Sequence, residues 1–371
     1  MNKFRLASFL TSSSLVLTSS LVLIAICAAS LSAVPALSQE AESATSQAQG
    51  GNPIVRMDPA LDALLDPNAK VEKVKGGFDV AEGPVWVRKG GYLLLSDVNA
   101  NSIFKWSPKG GLSVFLDHSG YTGTADPDVA GIGSIANNGH KSVKLIGSNG
   151  LTLDLQGRVV FCAQGDRSVV RLEKDGKRTV MADHFEGKRL NSPNDLVYRA
   201  DGTLYFTDHI SGLRGRRDDP HRELNFQGVF MVKDGKVQLA VKDLFLPNGL
   251  AFSPDQKTLY IANNNPPTLK HIMRYDVQPD GSLINGKLFI DLSSEMGGNF
   301  DGIKVDKKGN IYATGPGGIW FFSPQGKTLG SLKIPEPTSN LTFGDSDGKT
   351  LYITARTAIY RIRTKIPGIH P

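Results

Sequence analysis

Cysteine is nearly absent: of 371 residues two are cysteine, and Cys27 falls in an apolar N-terminal stretch, which leaves Cys162 alone downstream. A single thiol makes neither an intramolecular disulfide nor a cysteine metal site, so a core must hold the fold. Cys162 itself sits in the apolar run Val159–Val160–Phe161–Cys162 and reads as a small buried strand residue. No serine lies in a GxSxG elbow, which disfavours a Ser-His-Asp hydrolase. The 7 histidines show no spacing that resembles a metal motif. No stretch keeps a 3.6-residue apolar period, so helical architectures lose ground. Charge of one sign is also missing: 42 Lys+Arg against 36 Asp+Glu leave +6, with no basic arm or stripe, and nucleic acid is not an expected partner.

Glycine is in excess. Forty glycines in 371 residues are about 11%, against a usual share of roughly 7%, and they are scattered without a collagen-like period. Scattered glycine implies many turns, and many turns imply many short strands.

Residues 1–38 read as a signal peptide: Lys3 and Arg5 open it, Leu15–Ala36 is mostly apolar, and small residues at Val34–Pro35–Ala36 and Ala36–Leu37–Ser38 offer cleavage sites. The expected location is therefore exported, periplasmic or secreted, with no stable membrane contact after cleavage. The alternative is an uncleaved anchor, since the apolar run approaches the roughly 20 residues a spanning helix needs. Ile26 before Cys27 argues against a lipid-modified cysteine. Residues 39–70 are expected to be a flexible leader, because Gln39–Gly51 offers almost nothing to bury. Residues 71–371 form one expected domain.

That domain repeats one hairpin six times. EGPVWVRKGGYLLLSD from Glu82, NGLTLDLQGRVVFC from Asn149, NDLVYRADGTLYFTD from Asn194, NGLAFSPDQKTLYIAN from Asn248, DGIKVDKKGNIYATG from Asp301 and NLTFGDSDGKTLYIT from Asn340 align. Each starts on a side-chain oxygen, alternates apolar and polar residues, turns, and runs into a strand rich in Leu, Ile, Val and Tyr. A weaker second hairpin fits between copies, as in GVFMVKDGKVQLAVKD (228–243). The pattern predicts an all-β, six-bladed β-propeller with four-stranded blades around a central channel. A strand near Val71–Phe78 is expected to complete the last blade.

In a propeller the innermost strands run along the channel, so equivalent residues form a ring: Glu82, Asn149, Asn194, Asn248, Asp301 and Asn340. Asn and Asp are ordinary turn residues one at a time, yet here all six are acid or amide. Two carboxylates buried together need something positive between them, and a hard cation such as calcium takes such oxygens, whereas zinc prefers His or Cys. Four glycines directly follow ring residues (Gly83, Gly150, Gly249, Gly302) and are expected to leave room beside the metal.

From Glu82 to Ile362 the chain resembles the gluconolactonase family, related to senescence marker protein (regucalcin), most specifically in EGPVW (82–86), SNGLTLDLQGRVV (148–160), EGKRLNSPNDLVYRADGTLYFTD (186–208), LPNGLAFSPDQKTLYIANN (246–264) and FDGIKVDKKGNIYAT (300–314). The resemblance implies a six-bladed propeller with one divalent metal at the channel mouth, calcium first, with magnesium, manganese or zinc able to substitute. It implies Glu82, Asn194, Asn248 and Asp301 as ligands and a small-molecule sugar lactone as substrate. The chain departs from the family at Ala163–Gln164, where many relatives carry an acid and a His, and at His209, where many carry Pro.

On this reading Asp301 is the catalytic base, and Asn149, Asn340 and His209 are candidate substrate contacts. The insertions Asp117–Ser148 and Ser211–Gln227, the latter with Arg214, Arg216, Arg217 and His221, are expected over the site. Two alternatives stay open: a promiscuous esterase or phosphotriesterase on the same site, and a non-catalytic, calcium-stabilised binding module. Oligomeric state is not readable from the sequence.

Overall fold

Each repeat folds as expected, and the reason is visible in its turns: the Asp–Gly, Gln–Gly and Lys–Gly pairs put glycines at positive φ, as at Gly157 (74°), Gly202 (88°) and Gly309 (85°), where a side chain would be strained. The computed structural model describes residues 52–123, 131–137, 140–242 and 244–369. The inner strands of the six blades are Ala81–Val87, Ser148–Leu153, Pro193–Tyr198, Pro247–Phe252, Ile303–Val305 and Thr338–Gly344. Each pairs antiparallel with the next strand in sequence, outward through the blade. Inner strands of successive blades touch one another all the way round, blade six meeting blade one.

The ring is closed by the N-terminal strand Glu72–Gly76, which pairs with Ala358–Arg363 as the outermost strand of blade six. Blade five departs from four strands: Ile54–Arg56 adds a fifth, along Gly330–Leu332. The leader expected to be flexible through residue 70 is therefore folded over much of its described part. After Asp58, whose carboxylate accepts from Ala60 N at 2.8 Å, a short 3-10 turn (Pro59–Ala63) leads into Leu64 and Leu65. Leu61, Leu64 and Leu65 are buried against blades five and six. Composition up to Gly51 justified a leader, but the i, i+3, i+4 apolar triplet beyond it has a face to bury. The predicted signal peptide lies outside the described residues. Among the described residues no helix is long and apolar enough to cross a membrane.

Six apolar clusters among the described residues each fill one gap between neighbouring blades, for example Phe206 and Phe230 with Val160 and Cys162 between blades two and three. Cys162 is fully buried, and burial pushes its thiol well above the ordinary range, which suits a core residue and not a nucleophile. The packing leaves the channel lined by inner-strand residues. Each inner strand begins at one face of the disc, and its antiparallel neighbour ends there. The segments before Ser148 and after Asp208, the roots of both insertions, therefore leave from the face that carries the strand starts.

Candidate active site

All six predicted ring residues stand at or just before the start of an inner strand. Glu82, Asn149, Asn194 and Asn340 are buried, while Asn248 and Asp301 are partly exposed. Four of these positions are fixed by clamps at the ends of the second strands of blades one, three and four. Asp97 accepts from Asp79 N and Val80 N, just ahead of Glu82. Asp208 accepts from Asn191 N, Asn191 Nδ2 and Ser192 N, just ahead of Asn194. Asn263 Oδ1 accepts from Phe245 N and Leu246 N, ahead of Asn248, and Asn264 holds both polar groups of the Phe300 backbone, ahead of Asp301. These buried, satisfied polar groups hold the loops that deliver the four candidate ligands.

The four glycines that follow ring residues have a different task from the one expected. A Cβ on Gly83 would stand 2.1 Å from Asn149 O, one on Gly249 2.2 Å from Asp301 O, and one on Gly302 2.1 Å from Asn340 Oδ1. Each glycine lets its strand press against the ring residue of the next blade. They narrow the ring instead of opening space beside a metal.

In blade three the corresponding position is Asp195, a third channel carboxylate that sequence reasoning overlooked. It is 2% exposed and accepts from Leu196 N at 2.8 Å and, across the channel, from Asn340 Nδ2 at 3.3 Å. The signal was present: the glycine that follows the ring residue in four repeats is an acid here.

Burial raises the Glu82 carboxyl to about 7, with the Asp195 charge adding to it and the Gly83 N–H (2.7 Å), the Asn340 amide and Lys304 opposing. Asp301 is driven well above the carboxylate range by burial and by the charges of Glu82 and Asp195, and the Asn248 amide within hydrogen-bonding reach opposes. Beside these strained acids, Asn194 Oδ1 and Asn248 Oδ1 are buried without any hydrogen-bond partner. Two acids that resist ionising together and two orphaned amide oxygens make a set that a hard cation would satisfy at once. Among the described residues no group of three or more His, Cys, Asp or Glu side chains could hold a metal; the oxygen set here is half amide.

The remaining predicted residues divide. Asn149 reaches Gln164 Oε1 with its Nδ2 at 3.4 Å. Asn340 is engaged at both ends, its Oδ1 accepting from Leu341 N at 2.9 Å, so it holds Asp195 instead of presenting itself to a sugar. His209, 2% exposed, caps the turn Ile210–Gly212 by accepting from Ser211 N at Nδ1, 3.1 Å, which leaves the ring proton on Nε2. Burial, helped by Arg216, lowers its pKa to about 4, so the imidazole is neutral. Within the insertion, His221 faces Asp219 at 3.1 Å, and the buried Arg167 donates to the His221 carbonyl. Arg216 and Arg217 are exposed.

Comparison with known proteins bears on the family and the fold. Residues 80–357 match the family model described as SMP-30/Gluconolactonase/LRE-like region. A gluconolactonase of Zymomonas mobilis is 35% identical over 351 residues, 92% of this chain and 94% of that protein. The solved structure of a gluconolactonase from Xanthomonas campestris superposes with a TM-score of 0.70 at 29% identity, covering 85% of this chain and 95% of that one. A calcium-binding regucalcin structure from Agrobacterium tumefaciens, at 18% identity and TM-score 0.58 over 79% of this chain and 93% of that one, shares the fold. The chain belongs to the SMP-30/gluconolactonase family.

Proposed function

We propose that the chain is an exported, calcium-dependent hydrolase of a sugar lactone. The observation that carries this reading is the pairing of Glu82 and Asp301 with the orphaned Asn194 and Asn248 oxygens at one level of the channel. Those four side chains would hold the ion. When bound, it supplies Lewis-acid polarisation of the lactone carbonyl and offsets the carboxylates' charge. Relatives named gluconolactonase support the substrate class.

The chain's own residues then have separable tasks. Asp301, partly exposed, accepts the proton of the attacking water as its oxygen adds to the carbonyl carbon. That proton passes to the ring oxygen as the C–O bond breaks, which yields the open hydroxy acid. Glu82, buried and held by Gly83 N–H, stays in place as a charge. Asp195 adds a negative charge below, and Asn340 fixes it. Asn149 with Gln164, and the buried, neutral His209, are the candidate contacts for hydroxyls.

The test is a pH-indicator assay on a panel of aldonolactones, with and without EDTA, on the wild type and Asp301→Ala. Metal-dependent turnover lost in Asp301→Ala supports the reading. Turnover of aryl esters or phosphotriesters in its place would move the assignment to that chemistry, and stoichiometric calcium binding without any turnover would make the domain a binding module.

A further inference from the structure

Below the ring the inner strands build a second tier. Three residues beyond the ring position in blades one to five, and two beyond it in blade six, stand Val85, Thr152, Val197, Ala251, Lys304 and Thr342. All six line one cavity of about 230 Å³, whose other walls include hairpin residues of the face opposite the strand starts. It is thus a chamber of the channel on the far side of the candidate metal site.

Its chemistry is uneven. The walls are mostly aliphatic, yet Thr152 and Thr342, 3% and 4% exposed, have hydroxyls without a hydrogen-bond partner among the described residues. Lys304 is half-buried, and its ammonium donates to the Ile303 carbonyl at 3.1 Å. No carboxylate among the described residues pairs with it, although its charge is felt at Glu82. An ammonium has three donors; two are left here, whereas Ser253 and Gln256 on the same wall are bonded to Asp255 and to Ala200 N, and the Tyr198 ring adds one more hydroxyl. Arg199, also on the wall, is directed elsewhere, to Asp201 at 3.1 Å and to the Gln278 carbonyl. Unused donors above an aliphatic wall describe a pocket for an anion with an apolar body.

We propose that this chamber binds a small monocarboxylate with a short apolar chain, its carboxylate held by Lys304 and the two threonine hydroxyls and its chain on the aliphatic walls. The site is separate from the candidate metal ring, although the Lys304 charge reaches Glu82. A sugar acid, hydroxylated along its length, would leave its hydroxyls unpaired against these walls.

The experiment is calorimetric titration of the full chain with hexanoate, and with hexan-1-ol and hexylamine as neutral and cationic counterparts, in excess calcium and again in EDTA. Saturable binding of hexanoate alone, retained in EDTA and weakened at least about tenfold in Lys304→Met, is the expected result. Thr152→Val provides a second variant, with a smaller loss in the same direction, should Lys304→Met fail to fold. No saturable binding up to about 10 mM would mean that the chamber holds only water, and the proposal falls. It falls equally if Lys304→Met and Thr152→Val bind hexanoate like the wild type, or if binding disappears in EDTA, because the carboxylate would then be meeting the ring's cation.

Discussion

Asn340 donates from Nδ2 to Asp195 Oδ2 at 3.3 Å, joining blade six to blade three across the channel. The bond explains why one ring amide is kept out of the candidate ligand set: its carbonyl is taken by Leu341 N and its amino group by the acid opposite. It also ties the third carboxylate to the geometry of the other two.

Asp195→Asn should remove one negative charge from beneath the site, its single amide oxygen keeping one of the two hydrogen bonds that the carboxylate accepts, from Leu196 N or from Asn340 Nδ2. We expect calcium affinity to fall by about tenfold, the scale of one partly screened charge. Asn340→Ala should give a smaller loss, because the charge stays and only its anchor goes. Calcium titrations of both variants check the order.

Gly302→Ala puts a Cβ 2.1 Å from Asn340 Oδ1, so the ring must open at blades five and six. Overpacking of this kind costs about 1–3 kcal/mol. The melting temperature should drop, and lactone turnover should fall further than stability alone explains, because Asp301 precedes the displaced residue.

His209 is neutral in the folded chain down to about pH 4, against 6.5 for a free imidazole. The unfolded chain therefore binds the extra proton first. Its contribution to stability is in place above about 6.5 and is lost as pH falls from there toward 4. His209→Gln should lose less stability than the wild type across that window. Asp208, pushed up by burial to about 7, slopes the opposite way, so the informative quantity is the difference between variant and parent melting curves.

Leu61→Ala in the folded leader should destabilise the chain by about 2–5 kcal/mol, since Leu61 is 1% exposed between blades five and six. Calcium affinity should not change. Urea unfolding alongside a calcium titration separates the two.

Much of this architecture could be read in advance because it is repeated. Six hairpins with an oxygen-bearing residue at the same place define blades, ring and channel together, and all six of these residues stand at or just before the start of an inner strand. What stayed hidden is what breaks the repeat. Asp195 occupies a glycine position in a single blade. Lys304 matters only once its tier is stacked with five residues from other blades, a relationship with no local pattern. The Ile54–Leu65 segment is rich in apolar residues but matches no copy of the repeated hairpin, and its value comes from a groove that other elements create. The ring glycines were found by position, but their task depends on the neighbouring blade's backbone.

The central claim is that Glu82, Asn194, Asn248 and Asp301 together hold one divalent cation on which the chemistry depends. Calorimetric titration of metal-free protein with calcium tests it most directly, on the wild type, Asp301→Asn and Asn194→Ala. The account predicts one site per chain, weakened by at least about tenfold in each variant. A wild type that takes up no calcium, or variants that bind it as tightly as the wild type, would contradict it.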